Sequence, residues 1–205
     1  VVVDGSVATY TPDTNFNGSD SFIFMVSDGE LTDSQSITVT VNAVNDAPIA
    51  TADLTGTTNE DQSVVITLSG SDIDGDALSF SLDTDGANGS VVVDGSVATY
   101  IPSANFNGSD SFIFAVSDGF LTDQATVTLT IAAINDAPVL ATVSDVSFDE
   151  DGSGSLALIA DDVDNDDLIF EITGGIEIIS TLIDSDVTFS APGDFNGSES
   201  FTATV

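Results

Sequence analysis

The chain has 205 residues, with 35 aspartates and glutamates against no lysine, arginine, histidine or cysteine, and so a formal net charge of −35. Internal salt bridges and disulfides are thereby excluded. So are catalysis by histidine, cysteine or lysine and partners held through cationic side chains, namely nucleic acid and anionic membrane surfaces.

A hydrophobic fraction of 41% with 13 phenylalanines marks a folding sequence despite the charge. Its first ten residues, VVVDGSVATY, place Asp4-Gly5 between valine-rich arms, a hairpin signal. They recur letter for letter at Val91–Tyr100, and Asn15–Phe24 recurs at Asn105–Phe114, an offset of 90 residues. Next, Ser36–Val41 (SITVTV) alternates apolar and polar residues, the pattern of a half-buried strand. NDAP then follows at Asn45 and again at Asn135. This spacing predicts that residues 1–44 are the back half of one module, 45–134 a complete module and 135–205 a module lacking its last strand. On that reading neither end of the chain is a natural terminus.

In the complete module the pattern predicts strands at 49–54, 63–68, 77–82, 90–93, 96–100, 110–117 and 124–133, and no helix. Seven short strands in about 90 residues predict an all-β fold of Greek-key sandwiches of cadherin or immunoglobulin type, repeated as an elongated array. Phe80, Tyr100, Phe106, Phe112, Phe114 and Val116 are its expected core. In the third module DFNGSESF at Asp194–Phe201 answers NFNGSDSF at Asn105–Phe112, one residue short of the regular offset.

Four acidic elements recur with the period. They are the NDAP junction (Asn45-Asp46, Asn135-Asp136), an ED pair (Glu60-Asp61, Glu150-Asp151), an alternating run (Asp72, Asp74 and Asp76; Asp162, Asp164 and Asp166) and GSDSF-to-SDG (Asp20 and Asp28; Asp110 and Asp118). Two carboxylates about 4 Å apart repel by about 4 kcal/mol at an effective dielectric near 20. Clustered acids without cationic neighbours therefore predict a divalent cation, whereas a solvated acidic turn is the plainer alternative for the run. An EF-hand is excluded, because its required glycine and glutamate positions hold Ala77 and Asp83. Oxygen donors without imidazole or thiolate suit calcium over zinc or copper. The NGS triplets at Asn17, Asn88, Asn107 and Asn196 match glycosylation acceptors and read as Asn-Gly turns.

At a fixed period this combination resembles cadherin-type repeats. It is more similar still to the bacterial cadherin-like tandem repeat of large secreted adhesins, whose signature resembles NFNGSDSFIFxVSDG, a threonine-rich strand and NDAP. The resemblance covers essentially the whole chain. It implies calcium ions at the junctions between modules, gripped by the upstream base, the linker and a downstream D-x-D loop. Carried over residue by residue, the first junction would use Asp20, Asp28, Asn45, Asp46, Asp72 and Asp74. The second would use Glu60, Asp110, Asp118, Asn135, Asp136, Asp162 and Asp164, with Asp166 nearby; Asp76 and Glu150 are the counterparts of Asp166 and Glu60. Ala43 and Ala133 replace the leading aspartate of the cadherin linker, and Ala47 and Ala137 its last asparagine, so one or two ions per junction are expected. The implied function is that of non-enzymatic, calcium-stiffened extender repeats of an extracellular or cell-surface adhesin, in attachment or biofilm. Its partners would be calcium ions and neighbouring repeats, with no membrane insertion. Two other functions are open: modules that bind carbohydrate or their own kind, and a subunit of an extracellular fibre or sheath.

Overall fold

The computed structural model describes residues 1–205, which form two compact units, Val1–Ala132 and Ala133–Val205. All its regular structure is strand, and no helix is long and apolar enough to cross a membrane.

In residues 1–44 the strands are β1 (Val2–Asp4), β2 (Val7–Thr9), β3 (Gly18–Ser27) and β4 (Thr32–Val41). The complete module contributes β5 (Ile49–Ala50), β6 (Leu54–Asn59), β7 (Val64–Thr67), β8 (Gly70–Ser71) and β9 (Ser79–Thr84). It continues with β10 (Gly89–Asp94), β11 (Val97–Pro102), β12 (Gly108–Ser117) and β13 (Thr122–Ala132). The second unit has β14 (Val139–Leu140), β15 (Ser153–Ala157), β16 (Ala160–Asp161), β17 (Glu171–Gly174), β18 (Ile179–Ile183), β19 (Asp186–Ser190) and β20 (Phe201–Thr204).

Two sheets make the sandwich of the complete module, one in the order β6-β13-β12-β9 and one in the order β10-β11-β7, with β5 and β8 as a small ribbon. The sheets form because alternation along β11, β12 and β13 gives each strand one apolar side. Tyr100, Phe112, Phe114, Val116, Val127 and Leu129 all lie on those sides and are buried. Phe80 and Phe106 pack against them half-buried, and the Phe80 ring meets Phe114 at a centroid distance of 6.3 Å. Each such side chain contributes about 1.5–3 kcal/mol on burial. The expected core is therefore the observed one.

The first predicted strand is divided. Ala50 ends β5, Asp53 takes a left-handed φ of 60°, and the extended chain resumes at Leu54 to pair in parallel with β13, Leu54 against Val127 and Asn59 against Ala132. Gly56 in the middle of β6 lets Leu129 approach closely, since a Cβ there would lie 2.8 Å from Leu129 Cδ2 and that side chain would have to shift. Residues 1–44 hold counterparts of β10–β13 only. Their β3–β4 hairpin repeats the register of β12–β13, Gly18 against Val41 and Gly108 against Ile131. Yet Phe24 is 44% exposed where its counterpart Phe114 is fully buried. In the second unit Leu158, Val187 and Phe189 form the core, covered by Phe148, Phe170 and Phe201.

Candidate metal centre

The acidic elements sort by the end of the sandwich at which their strands stop. Because β9 and β12 are antiparallel with Ser79 against Ser117, the residues before β9 and after β12 meet at one end. The run Asp72–Asp76 and Asp118 therefore share the edge where Asn45 enters. Across 73 residues of sequence, Asn45 Nδ2 donates to Asp118 Oδ2 at 2.8 Å, and the Asp46 amide donates to Asp74 Oδ2 at 2.8 Å. The run itself curls around one carboxylate: Asp72 Oδ1 accepts the amides of Asp74 and Asp76 at 2.9 and 3.2 Å. Gly75, with φ 81°, lets the backbone close that turn. Asp72 Oδ2, by contrast, is buried and accepts no hydrogen bond.

The second unit repeats this construction. Asp162 Oδ1 accepts the amides of Asp164 and Asp166 at 2.9 and 3.1 Å, and the Asp136 amide donates to Asp164 Oδ2 at 2.7 Å. Asn135 Nδ2 turns back onto the Asp136 carbonyl at 3.0 Å. As they stand, no three acidic side chains in the chain converge closely enough to grip one ion. Asp76 and Asp166 enter the arrangement through their backbone amides.

Four of the expected positions have surroundings that the sequence did not indicate. Asp118 was assigned with Glu60, Asp110 and Asn135, but the antiparallel register carries it to the opposite edge, beside Asn45. By the same register Asp28 follows Ser27 at the end of the β3–β4 hairpin, about 30 Å along the strand from Gly18 and Val41. It therefore does not join Asn45 and Asp46. Its Oδ1 accepts the amides of Glu30 and Leu31 at 3.0 and 2.8 Å, and these bonds hold its carboxyl below the usual range.

Asp110 and Asp20 are the other two. Asp110, 8% exposed, accepts the amides of Ala87, Asn88 and Ser111 and the Tyr100 hydroxyl at 2.7 to 3.0 Å. Burial pushes its carboxyl up, but these four bonds prevail and its pKa lies below the ordinary value. Burial, then the bond to Asp110 and its charge, push the Tyr100 phenol well up. Asp20 likewise holds Tyr10 at 2.9 Å and the Ser21 amide at 2.7 Å. Both acids thus accept hydrogen bonds on each of their oxygens.

Glu60 lies at the exit edge, 4% exposed, where its amide donates to the Ala132 carbonyl at 2.9 Å. Glu150 sits in the exposed turn closed by the Gly152 amide on the Asp149 carbonyl at 3.0 Å. One residue escaped the motif reading. Asn15, at a left-handed φ of 60° in NFNG, lines a cleft together with Asp46, Ala47, Asp72 and Ile73. Its recurrence as Asn105, with φ 55°, was the available signal.

No curated protein sequence matches the chain significantly. Among solved structures, human protocadherin-24 EC1-2 is similar at 14% identity and a TM-score of 0.46, over 78% of this chain and 95% of that one. Drosophila N-cadherin EC1-4 is similar at 14% identity and a TM-score of 0.40, over 87% and 51%. The endo-fucoidan hydrolase MfFcnA4 of glycoside hydrolase family 107 is similar at 16% identity and a TM-score of 0.39, over 94% of this chain. The chain spans only 34% of that hydrolase's length. The family is decided by sequence instead: a model of the bacterial Ig domain matches residues 1–40, 45–130 and 135–205. With that match repeated along an all-β chain of recurring sandwich halves, the protein belongs to the bacterial Ig domain family.

Proposed function

We propose that these modules are non-catalytic spacer repeats of an extracellular bacterial surface protein, stiffened by calcium bound at the entry edge of each module, and that they hold an adhesive domain away from the cell. One observation carries the cation reading. Asp72 Oδ2 is buried and lacks a hydrogen donor, in a chain with no cationic side chain to serve it. A buried acceptor left in that state costs about 1–3 kcal/mol, and more when charged. A divalent cation removes that cost.

The donor chemistry of the residues present suits calcium, although their carboxylates would have to draw together around the ion. Asp72, Asp74 and Asp46 would hold it in the complete module, and Asp162, Asp164 and Asp136 in the next. All offer hard carboxylate oxygen without nitrogen or sulfur. Asp118 acts behind them as a positioning group, since its bond to Asn45 pins the linker over the run. When bound, the ion supplies positive charge that no side chain provides. Asn15 of the preceding half-module lines the same cleft, which is where stiffening between modules would be felt.

Calorimetric titration of the metal-free chain with calcium chloride tests the reading. Binding at about 10⁻⁴–10⁻³ M is expected, with a rise in melting temperature and a longer maximum dimension in X-ray scattering. A chain that takes up calcium with no heat, or whose melting and scattering are unchanged by it, would refute it.

A further inference from the structure

A second acidic constellation lies at the exit edge, and its residues change together between modules. In the complete module the Tyr100 hydroxyl donates to Asp110 Oδ2 at 2.7 Å, and Asp110 also takes the amides of Ala87 and Asn88 from the loop before β10. Gly89 must be glycine there, because a Cβ would fall 2.5 Å from Tyr100 Cε2, Cζ and Oη. At the matching positions of the second unit, set by Val91 facing Tyr100 and Ser180 facing Phe189, all three residues differ. Glycine becomes Ile178, tyrosine becomes Phe189 and aspartate becomes Glu199.

The contacts persist although the residues do not. Glu199, one methylene longer, reaches the amides of Ile176, Glu177 and Ile178 at 2.8, 2.9 and 3.0 Å. These are the counterparts of Ala87, Asn88 and Gly89. Phe189 has no hydroxyl to tether and packs its ring edge-on against Phe201, with centroids 4.9 Å apart at 60°. That frees the space a side chain at position 178 needs. The glycine one turn earlier is retained in both, as Gly86 and Gly175.

We propose that Gly89, Tyr100 and Asp110 are one interdependent latch that holds the exit-edge loop closed by carboxylate capture of its backbone amides, and that Ile178, Phe189 and Glu199 are the same latch rebuilt from a different residue set. The latch is a property of each module alone and does not depend on the calcium reading. In residues 1–44 its tyrosine–aspartate half stands as Tyr10 and Asp20 at 2.9 Å. The lowered pKa of Glu199, caused by the amides of Glu177 and Ile176 and then Ile178, agrees with a captured carboxylate.

The test uses the full chain in EDTA. Asp110→Glu, Tyr100→Phe and Gly89→Ile are each expected to lower the melting midpoint of the complete module by about 5 °C or more. The triple variant, which installs the second unit's set, is expected to recover at least half of the summed loss. A triple whose loss equals or exceeds that sum overturns the proposal. Residue-resolved amide exchange gives a readout that survives poor folding of those variants. Glu199→Asp should speed exchange at Ile176 and Glu177 at least tenfold while β19 stays protected, and unchanged exchange at those two amides overturns it.

Discussion

Replacing Asp72 by asparagine should invert the order of stability with and without calcium. In the parent, Asp72 Oδ1 is fully used by two backbone amides while Oδ2 is buried without a donor. Asparagine keeps the first acceptor and puts a neutral amide nitrogen in place of the second oxygen, so the gain is the removal of a buried charge, whose orphaning costs more than that of a neutral group. An unsatisfied buried acceptor costs about 1–3 kcal/mol. At about 4–8 °C per kcal/mol for a domain of this size, Asp72→Asn should melt about 4 °C or more above the parent in EDTA. With calcium at 100 times its dissociation constant the parent gains about 2.7 kcal/mol, about 10–20 °C, whereas the variant gains little. The two melting curves should therefore cross between EDTA and saturating calcium. Asp94→Asn, which removes the same charge from an exposed hairpin turn, is the control and should keep the parent's calcium increment. If Asp72→Asn melts below the parent in EDTA, or gains as much from calcium, the reasoning from the orphaned oxygen is wrong.

Other outcomes follow from the packing and the hydrogen bonds. The folded pKa of Asp110 lies below that of an ordinary aspartate, so its contribution is present above the ordinary value and is lost as pH falls through the folded pKa. Melting scans from pH 7 to 2 should show the parent losing its advantage over Asp110→Asn only below about pH 4. Phe114→Ala, at a fully buried site, should cost about 3–5 kcal/mol in urea unfolding. Phe120→Ala, at a side chain 87% exposed, should cost nothing measurable. Asn45→Ala removes the donor to Asp118 and should weaken calcium affinity without altering the amide protection of β12 and β13, as read by titration and hydrogen exchange.

Much of the fold was legible because two independent signals agree, period-two alternation within strands and near-identity at a fixed offset between modules. Tyr100, Phe112, Phe114 and Val116 could be assigned to the core from alternation alone. β6 was not legible. Its sequence LTGTTN has the composition of a turn, and it is a strand because parallel pairing with β13 and the approach of Leu129 to Gly56 outweigh local preference. The acidic elements were legible as a set, and their grouping was not. Sequence places Asp118 at a strand end, but only the register of Ser79 against Ser117 says which end, and so which acids it joins. Asp110 shows the same limit, for nothing in GSDSF reveals that Tyr100 and two loop amides saturate its oxygens.

The parallel pairing of β6 with β13 also decides how the complete module answers a pull. Past the two-residue β5 the chain runs through β6, and it leaves through β13, with both strands running the same way and six residues of each in register. Tension on the two ends slides these strands past each other. Their hydrogen bonds are then loaded in shear and must fail together, whereas a hairpin joined at the same ends would unzip one bond at a time.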